Sequence, residues 1–323
     1  MSDRTLQIVC ASALDVPADF AADFHALITD PPYSRHVHKS AVSLGGGQNA
    51  TEAVKARDLG FAPLSVKLRH WIARASARVQ GWSLIYSDVE SAHLWRISIE
   101  AAATEYIRTV PYAWEACDVE PNPEDADELA RIKGVGHVGS IPWVRWSQPQ
   151  LSGDRPPTGS EMVTIGWGRK KARKFWNGPG GLVKFDRTKL PANKTHPTEK
   201  PLDLLLDQVS WFSQPGEAVI DPCAGVGTTG LACRLLGRDF FGIELSGEWA
   251  EFGAARLLAP LSTRDRERAE AWCVSTIEAA EGVLAAPRQK DRKTGKYTDE
   301  RTRERAGRRI ADCYTVAAAL EAA

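Results

Sequence analysis

Four consecutive residues, Asp30-Pro31-Pro32-Tyr33, could together bind a planar group that carries an amine. They follow a short apolar run from Phe24 to Thr29. We predict that this run is a strand ending at Asp30, because two prolines continue neither a sheet ladder nor a helix. The prolines hold a carboxylate, a backbone carbonyl and an aromatic ring in a rigid arrangement. Two oxygens can then accept hydrogen bonds from the amine while the ring stacks on its plane. An ordinary β-turn with a capping aspartate is the alternative interpretation.

A glycine-rich loop connects a predicted strand to a predicted helix and has the sequence Asp221-Pro222-Cys223-Ala224-Gly225-Val226-Gly227-Thr228-Thr229. Its glycines let the backbone turn tightly and approach a ligand closely, and the N–H groups of the following helix N-terminus suit an anionic group. Glu244 ends the next predicted strand, 19 residues after Gly225, and this spacing suits a carboxylate that binds ribose hydroxyls. The Gly-Lys-Ser/Thr of a phosphate-binding loop is missing, which disfavours an NTPase. Plain strand–helix packing is the alternative interpretation.

A third segment, His196-Pro197-Thr198-Glu199-Lys200-Pro201, leads into a predicted helix and is by itself typical of a helix start. The three segments together resemble the amino-group DNA methyltransferases that use S-adenosylmethionine (SAM). In that family Asp-Pro-Pro-Tyr is the catalytic motif, the glycine-rich loop binds the cofactor, and the third segment is a second cofactor element. The order of the motifs here resembles the circularly permuted β-class. The resemblance covers residues 6–33 and 140–258, is faint across 34–139 and is absent from the tail.

The resemblance implies direct methyl transfer to a base that is flipped out of the duplex. The catalytic residues would be Asp30, Pro31, Pro32 and Tyr33. Tyr33 would stack on the base, while the Asp30 carboxylate and the Pro31 carbonyl accept hydrogen bonds from the exocyclic amine and aim its lone pair at the methyl group. No covalent enzyme intermediate and no metal are expected. The cofactor residues that the resemblance implies are Ser12, Ala13, Asp30, His196, Thr198, Lys200, Asp221, Cys223, Gly225, Gly227, Thr228, Thr229 and Glu244.

Two cofactor positions depart from the family pattern. Cys223 replaces the usual phenylalanine, which loosens one wall of the predicted pocket. Ala11-Ser12-Ala13-Leu14 stands where the family often has Gly-Asp-Ala-Leu, so the hydroxyl of Ser12 replaces a carboxylate. Asp30 before Pro-Pro favours the N6 amine of adenine, because family members that act on N4 of cytosine usually have serine there. N4-cytosine methylation is the alternative.

Double-stranded DNA is the expected partner, although the net charge of the chain is zero, with 41 basic and 41 acidic residues. Local basic segments can still contact phosphates. The predicted DNA-binding residues are Arg169, Lys170, Lys171, Arg173, Lys174 and Trp176. A solvated basic loop is the alternative for them, and the cationic stretch from Arg288 to Arg309 is a second candidate. A homodimer, methylation of RNA or of a protein amide, and a non-catalytic regulator that binds SAM or DNA all stay open.

The alternation of predicted strands and helices indicates an α/β fold, a Rossmann-like methyltransferase sheet with flanking helices, a small recognition segment and a helical C-terminal tail. The strands are predicted at 24–29, 82–86, 105–110, 143–146, 162–167, 218–220 and 240–243. The helices are predicted at 62–79, 89–103, 228–236 and 248–258, with a further helix opening at Pro201. The predicted divisions are 1–111 (first part of the catalytic domain), 112–139 (acidic insert), 140–195 (strands and basic recognition segment), 196–260 (SAM-binding part) and 261–323 (charged helical tail).

The composition excludes several other classes of protein. With 323 residues and 43% hydrophobic residues, the chain has enough apolar surface for a large core. It contains no run of the ~18 apolar residues that a membrane span requires. The N-terminus lacks the pattern of a secretory signal, so we expect a cytoplasmic protein with no membrane partner. The six cysteines form no Cys-x-x-Cys pair and are expected to be reduced.

Overall fold

A computed structural model describes residues 5–34, 42–43, 55–56, 61–89, 91–108, 136–144, 160–168, 177–178, 199–290 and 297–322. Its strands are β1 (Leu6–Cys10), β2 (Ala26–Thr29), β3 (Val42–Ser43), β4 (Lys55–Ala56), β5 (Trp82–Ser87), β6 (Gly136–Val144), β7 (Ser160–Trp167), β8 (Ala218–Asp221) and β9 (Asp239–Glu244). Seven of them form one sheet in the order β1-β9-β8-β2-β5-β7-β6, and β3 pairs with β4 separately.

Helices cover both faces of the seven-stranded sheet. They are α1 (Val66–Arg78), α2 (Ala92–Arg108), α3 (Leu202–Phe212), α4 (Thr228–Leu236), α5 (Gly247–Leu258), α6 (Thr263–Ala285) and α7 (Glu300–Glu321). One apolar layer joins the sheet to α1, α2 and two short 3-10 turns. The other joins it to α3, α4 and α5, with α6 and α7 packed outside. In the described parts of the chain, no helix is both long and apolar enough to span a membrane.

Parallel pairing brings the chemically important strand ends together. The neighbours β1, β9, β8, β2 and β5 are all parallel, whereas β7 runs antiparallel to β5 and β6 antiparallel to β7. The parallel strands therefore end at one edge of the sheet, the carboxyl edge, which is marked by Cys10, Thr29, Ser87, Asp221 and Glu244. Ligands of open α/β sheets bind outside this edge. The predicted α/β class with a Rossmann-like sheet is confirmed.

Most element predictions hold, and one is wrong. The predicted helix 228–236 is confirmed, and Gly237 follows it with φ 77°, the left-handed conformation that ends helices. The strand predicted at 105–110 does not form, because α2 continues to Arg108. No glycine or proline interrupts the chain between Ala92 and Arg108, so nothing stops the helix locally. Residues 109–110 lie outside the described part, as do residues 145–146 of the strand predicted at 143–146.

The charged tail packs against the sheet layers through buried polar contacts. The guanidinium of Arg238 is fully buried and donates to Asp312 Oδ1 of α7 at 2.8 Å and to the Ser213 carbonyl at 2.9 Å. Trp272 of α6 donates to Asp207 of α3 at 3.0 Å. A buried pair of this kind is costly to break. Helices α6 and α7 are therefore anchored to the sheet layers, and the division at residue 261 stays a prediction.

Candidate active site

The glycine-rich loop between β8 and α4 is tied together by one carboxylate. Asp221 accepts hydrogen bonds from the Cys223 amide at 3.0 Å and from the Thr229 hydroxyl at 2.8 Å. Burial raises the pKa of Asp221 to about 7, although these hydrogen bonds oppose the rise. Gly225 and Gly227 have φ of 52° and 76°, the left-handed region that favours glycine. A Cβ atom on Gly225 would meet nothing within 4 Å, so the backbone borders open space that a ligand could occupy.

Glu244 links this loop to the next strand end. Its two carboxylate oxygens accept hydrogen bonds from the amides of Gly225 and Ser246, both at 2.8 Å. Each oxygen has a second lone pair and can accept another hydrogen bond. The Ala11 amide donates to the Glu244 carbonyl at 3.0 Å, which places the end of β1 beside the end of β9. Ser12 and the buried Ala13 follow directly, and the Ser12 hydroxyl caps the turn that begins there.

The Asp-Pro-Pro-Tyr motif follows β2 at the same edge. Lys200, which precedes α3, donates from Nζ to Asp30 Oδ2. Asp30 Oδ1 is buried and has no hydrogen-bond partner in the described structure. Burial raises the pKa of Asp30; the Lys200 charge opposes this and the Glu161 charge adds to it. The Asp30 carboxylate therefore has one oxygen bound by Lys200 and a second oxygen that has no hydrogen-bond partner among the described residues.

Glu161 on β7 completes the cluster, and the sequence analysis did not identify it. The Tyr33 hydroxyl donates to Glu161 Oε2 at 2.5 Å, and Lys200 Nζ lies 3.4 Å from the same oxygen. Burial and the charges of Asp30 and Glu161 raise the pKa of Tyr33 well above its ordinary value, so its hydroxyl remains a donor. Burial alone lowers the pKa of Lys200, but the two carboxylates reverse this and raise it. An acidic residue at the start of an apolar strand was the only sequence signal.

Two aromatic rings enclose the lysine. Lys200 Nζ lies 4.9 Å from the ring centroid of Tyr86 and 5.4 Å from that of Tyr33, within the range of a cation–π contact. Gln208 of α3 donates to the Tyr86 hydroxyl at 2.5 Å. Lys200 is thus held by two carboxylates and two rings. The sequence analysis also missed Tyr86 and Gln208, because both look like ordinary core positions.

The structure brings most of the predicted site residues together. Along the carboxyl edge, the strand order places Ser12 and Ala13, then Glu244, then the glycine-rich loop, then Asp30, at four neighbouring strand ends. Thr228 and Thr229 begin α4, and both side chains are buried. The Thr228 hydroxyl lies 3.3 Å from Arg256 Nη1. The predicted residues His196 and Thr198 lie outside the described residues. In the described ranges, no cluster of three or more His, Cys, Asp or Glu residues could hold a metal ion.

The predicted DNA-binding residues Arg169, Lys170, Lys171, Arg173, Lys174 and Trp176 also lie outside the described residues. Their described neighbours are at the opposite edge of the sheet. The Gly168 amide donates to the Gly81 carbonyl at 2.7 Å just before β5, and the Asn177 amide donates to the Trp211 carbonyl at 3.0 Å near the end of α3. By contrast, Val144 and Ser160, which flank residues 145–159, pair with each other at the carboxyl edge next to Glu161. DNA binding by the basic segment stays a prediction.

Comparisons with known proteins agree with this geometry. Residues 146–255, about a third of the chain, match the family model N6_N4_Mtase, described as DNA methylase. "DNA adenine methyltransferase YhdJ" of Escherichia coli is 37% identical over 105 residues, which cover 31% of this chain and 35% of that protein. "Putative methylase YubD" of the same organism is 41% identical over 71 residues, 22% of this chain and 31% of that protein. The chain thus spans about a third of the length of the curated relatives that it matches.

A solved structure extends the similarity to most of the fold. The "M1.HpyAVI-SAM complex" matches with a TM-score of 0.52 and 25% identity, over 78% of this chain and 99% of that chain. The match therefore covers much more of the chain than residues 146–255. The family model includes the glycine-rich loop and Glu244, and the sheet places them beside the Asp-Pro-Pro-Tyr motif. On this evidence residues 146–255 match the DNA methylase family that the model describes, and the fold over most of the chain is similar to that of M1.HpyAVI.

Proposed function

We propose that this protein transfers a methyl group from SAM to the exocyclic N6 amine of an adenine in double-stranded DNA. The observation that supports this most directly is the position of Asp30. Its Oδ2 is bound by Lys200, while its buried Oδ1 has no partner in the described structure. It lies at the strand end next to the glycine-rich loop. An unpaired buried acceptor is costly unless a ligand supplies the missing donor. An exocyclic amine is such a donor.

The residues at the carboxyl edge fit SAM. Gly225 borders open space, so a ligand can approach its backbone closely, and Glu244 retains acceptor capacity for ribose hydroxyls. The amides of Thr228 and Thr229 at the start of α4 suit the carboxylate of the methionine part. When bound, SAM supplies an electrophilic methyl group on a sulfonium. The similar M1.HpyAVI structure is a complex with SAM, which supports this cofactor.

The chain's own residues position the base. Tyr33 offers a ring on which a flipped base can stack, at a gain of about 1–3 kcal/mol, and this offsets part of the cost of unstacking. Asp30 accepts a hydrogen bond from the amine, and Pro31 offers its carbonyl. Both acceptors orient the nitrogen lone pair towards the methyl group. Catalysis then depends on positioning and oriented dipoles, which are fixed before the substrate binds.

Adenine is favoured over cytosine by the residue before Pro-Pro. Asp30 occupies the position where family members that act on cytosine N4 usually have serine. The E. coli relative described as a DNA adenine methyltransferase supports the same choice. Both bases present an exocyclic amine, so the proposed chemistry is identical for the two.

The test is to identify the product. Purified protein is incubated with SAM and unmethylated plasmid, the DNA is digested to nucleosides, and these are separated and weighed by mass spectrometry. We expect N6-methyladenine from the wild type and none from the Asp30→Ala variant. N4-methylcytosine would overturn the choice of base. If neither product appears although SAM binds, the proposed methylation of DNA is wrong, and RNA and protein substrates are tested next.

A further inference from the structure

Glu161 is a buried acid for which the proposed chemistry so far gives no role. Only 9% of the residue is exposed, and it begins the apolar part of β7. Burying a carboxylate costs free energy unless it is paired and hydrogen-bonded. Two of its close partners among the described residues, the Tyr33 hydroxyl and Lys200 Nζ, belong to the proposed active site. The position of Glu161 is therefore better explained by the site than by the packing of the sheet.

The charges in this cluster do not cancel. Asp30 and Glu161 share one ammonium group, that of Lys200. With all three groups ionised, these three side chains together carry one excess negative charge. A lone Lys200 beside Asp30 would make Asp30 a weak proton acceptor, because an adjacent cation favours the ionised carboxylate. The Glu161 charge acts in the opposite direction on Asp30.

Methylation of an exocyclic amine creates a need for such an acceptor. The reaction forms an N–C bond, breaks the S–C bond to the methyl group and releases one proton from nitrogen. The sulfonium becomes a neutral thioether. Asp30 Oδ1, the acceptor without a partner in the described structure, can take the released proton as the new N–C bond forms.

We infer that Glu161 is a positioning residue for the proposed methyl transfer. Glu161 fixes the Tyr33 ring by accepting a hydrogen bond from the Tyr33 hydroxyl, and it makes Asp30 a stronger proton acceptor by adding a second negative charge. This inference rests on the proposed function. It assigns the two effects to one oxygen, Oε2, which is 2.5 Å from the Tyr33 hydroxyl and 3.4 Å from Lys200 Nζ.

The pH dependence of turnover distinguishes this role from a structural one. Among the described residues, the titratable groups that act on Asp30 or feel its charge are Tyr33, Tyr86, Glu161, Lys200, Asp221 and Cys223. Of these, Glu161 raises the pKa of Asp30 by its charge, whereas the Tyr33 hydroxyl lowers it. Removal of the Glu161 charge therefore lowers the pKa of Asp30, whereas removal of the Tyr33 hydroxyl does not.

The experiment compares pH profiles of kcat for methyl transfer to DNA under saturating SAM. Glu161→Gln keeps the size of the side chain and its hydrogen-bonding capacity but removes the charge. We expect its acid limb to move to lower pH by about one unit, with kcat about 10- to 100-fold lower and SAM affinity unchanged. Tyr33→Phe should lower kcat without moving the limb to lower pH. Glu161→Asp, which keeps the charge, should keep the wild-type limb.

Glu100→Gln is the matched control, because Glu100 is a similarly buried glutamate that lies on α2, in the layer formed by α1 and α2. It should keep the wild-type profile. If Glu161→Gln does not fold, as judged by its melting temperature and SAM binding, Glu161→Ala is measured in its place. A wild-type limb in the neutral Glu161 variant would overturn this inference while the proposed function stands. If the wild-type protein transfers no methyl group to DNA, the proposed function fails first, and the inference fails with it.

Discussion

Replacing Lys200 with methionine should destabilise the protein strongly, even without ligand. Lys200 is 11% exposed and is the shared counter-ion of Asp30, which is 21% exposed, and of Glu161. Its removal leaves two carboxylates facing each other in a poorly solvated site. Loss of one partner of a buried pair costs about 3–5 kcal/mol. Because Asp30 is partly exposed, we expect the lower end, about 3 kcal/mol. For a chain of this size, that lowers Tm by about 4 °C.

The stability lost in the Lys200→Met variant should increase with pH. Without Lys200, burial and the Glu161 charge are no longer opposed, and they raise the pKa of Asp30 further above its unfolded-state value. Asp30 then favours the folded state while it is protonated, and this stability is lost as pH rises through its folded pKa. The Lys200→Met variant should therefore be closest to the wild type near pH 5 and furthest from it near pH 8. Adding Glu161→Gln to Lys200→Met should recover part of the loss.

Urea unfolding followed by tryptophan fluorescence at pH 5 and pH 8 measures this directly. Arg268→Met is the matched control, because Arg268 pairs with Asp203 at 2.9 Å but both side chains are more exposed, at 18% and 26%. Such pairs contribute about 0–1 kcal/mol. If Lys200→Met costs no more than Arg268→Met, or if its cost is the same at both pH values, the assignment of Lys200 as the shared counter-ion is refuted.

Three further substitutions test the roles of Glu244 and of the glycine-rich loop. Glu244→Ala removes the acceptor for the Gly225 amide and should weaken SAM binding by about 10-fold or more, measured by calorimetry; unchanged affinity would contradict the ribose role. Gly227→Ala places a Cβ at φ 76°, 2.9 Å from Ile8 Cδ1, and should lower the free energy of unfolding by at least about 1–2 kcal/mol; equal denaturation midpoints would show that the loop relaxes freely. Asp221 has a pKa raised to about 7, so its contribution to stability is lost as pH rises from about 4 through 7; Asp221→Asn should flatten that part of the stability–pH curve, and an unchanged slope would refute it.

The local parts of the fold could be predicted from the sequence. The strand that ends at Asp221, the helix over 228–236 and the strand that ends at Glu244 have apolar runs, glycine signals and short connections, so neighbouring residues determine them. The same holds for the strand before Asp30. Parallel pairing then places these strand ends at one edge. The end of α2 could not be predicted, because its last turn has an apolar pair, Tyr106-Ile107, that also suits a strand.

The long-range contacts of the site could not be predicted. Tyr33 and Glu161 are 128 residues apart in the chain, and Lys200 and Asp30 are 170 apart. No spacing rule connects such positions, since only the sheet order brings β7 and the segment before α3 to Asp30. The resemblance implies that Lys200 is a cofactor residue, which stays a prediction; the structure places its ammonium group beside the carboxylates of Asp30 and Glu161. Glu161, Tyr86 and Gln208 have no motif and became visible only through their contacts.

The central claim is that Asp30 acts on the base while the neighbouring strand ends hold the cofactor. The most direct test measures both steps on one variant. For Asp30→Ala, SAM affinity is measured by calorimetry, and transfer of a radioactive methyl group from SAM to plasmid DNA is measured in parallel. We predict SAM affinity within about threefold of the wild type and a loss of transfer of about 100-fold or more. Wild-type transfer by Asp30→Ala would contradict the account.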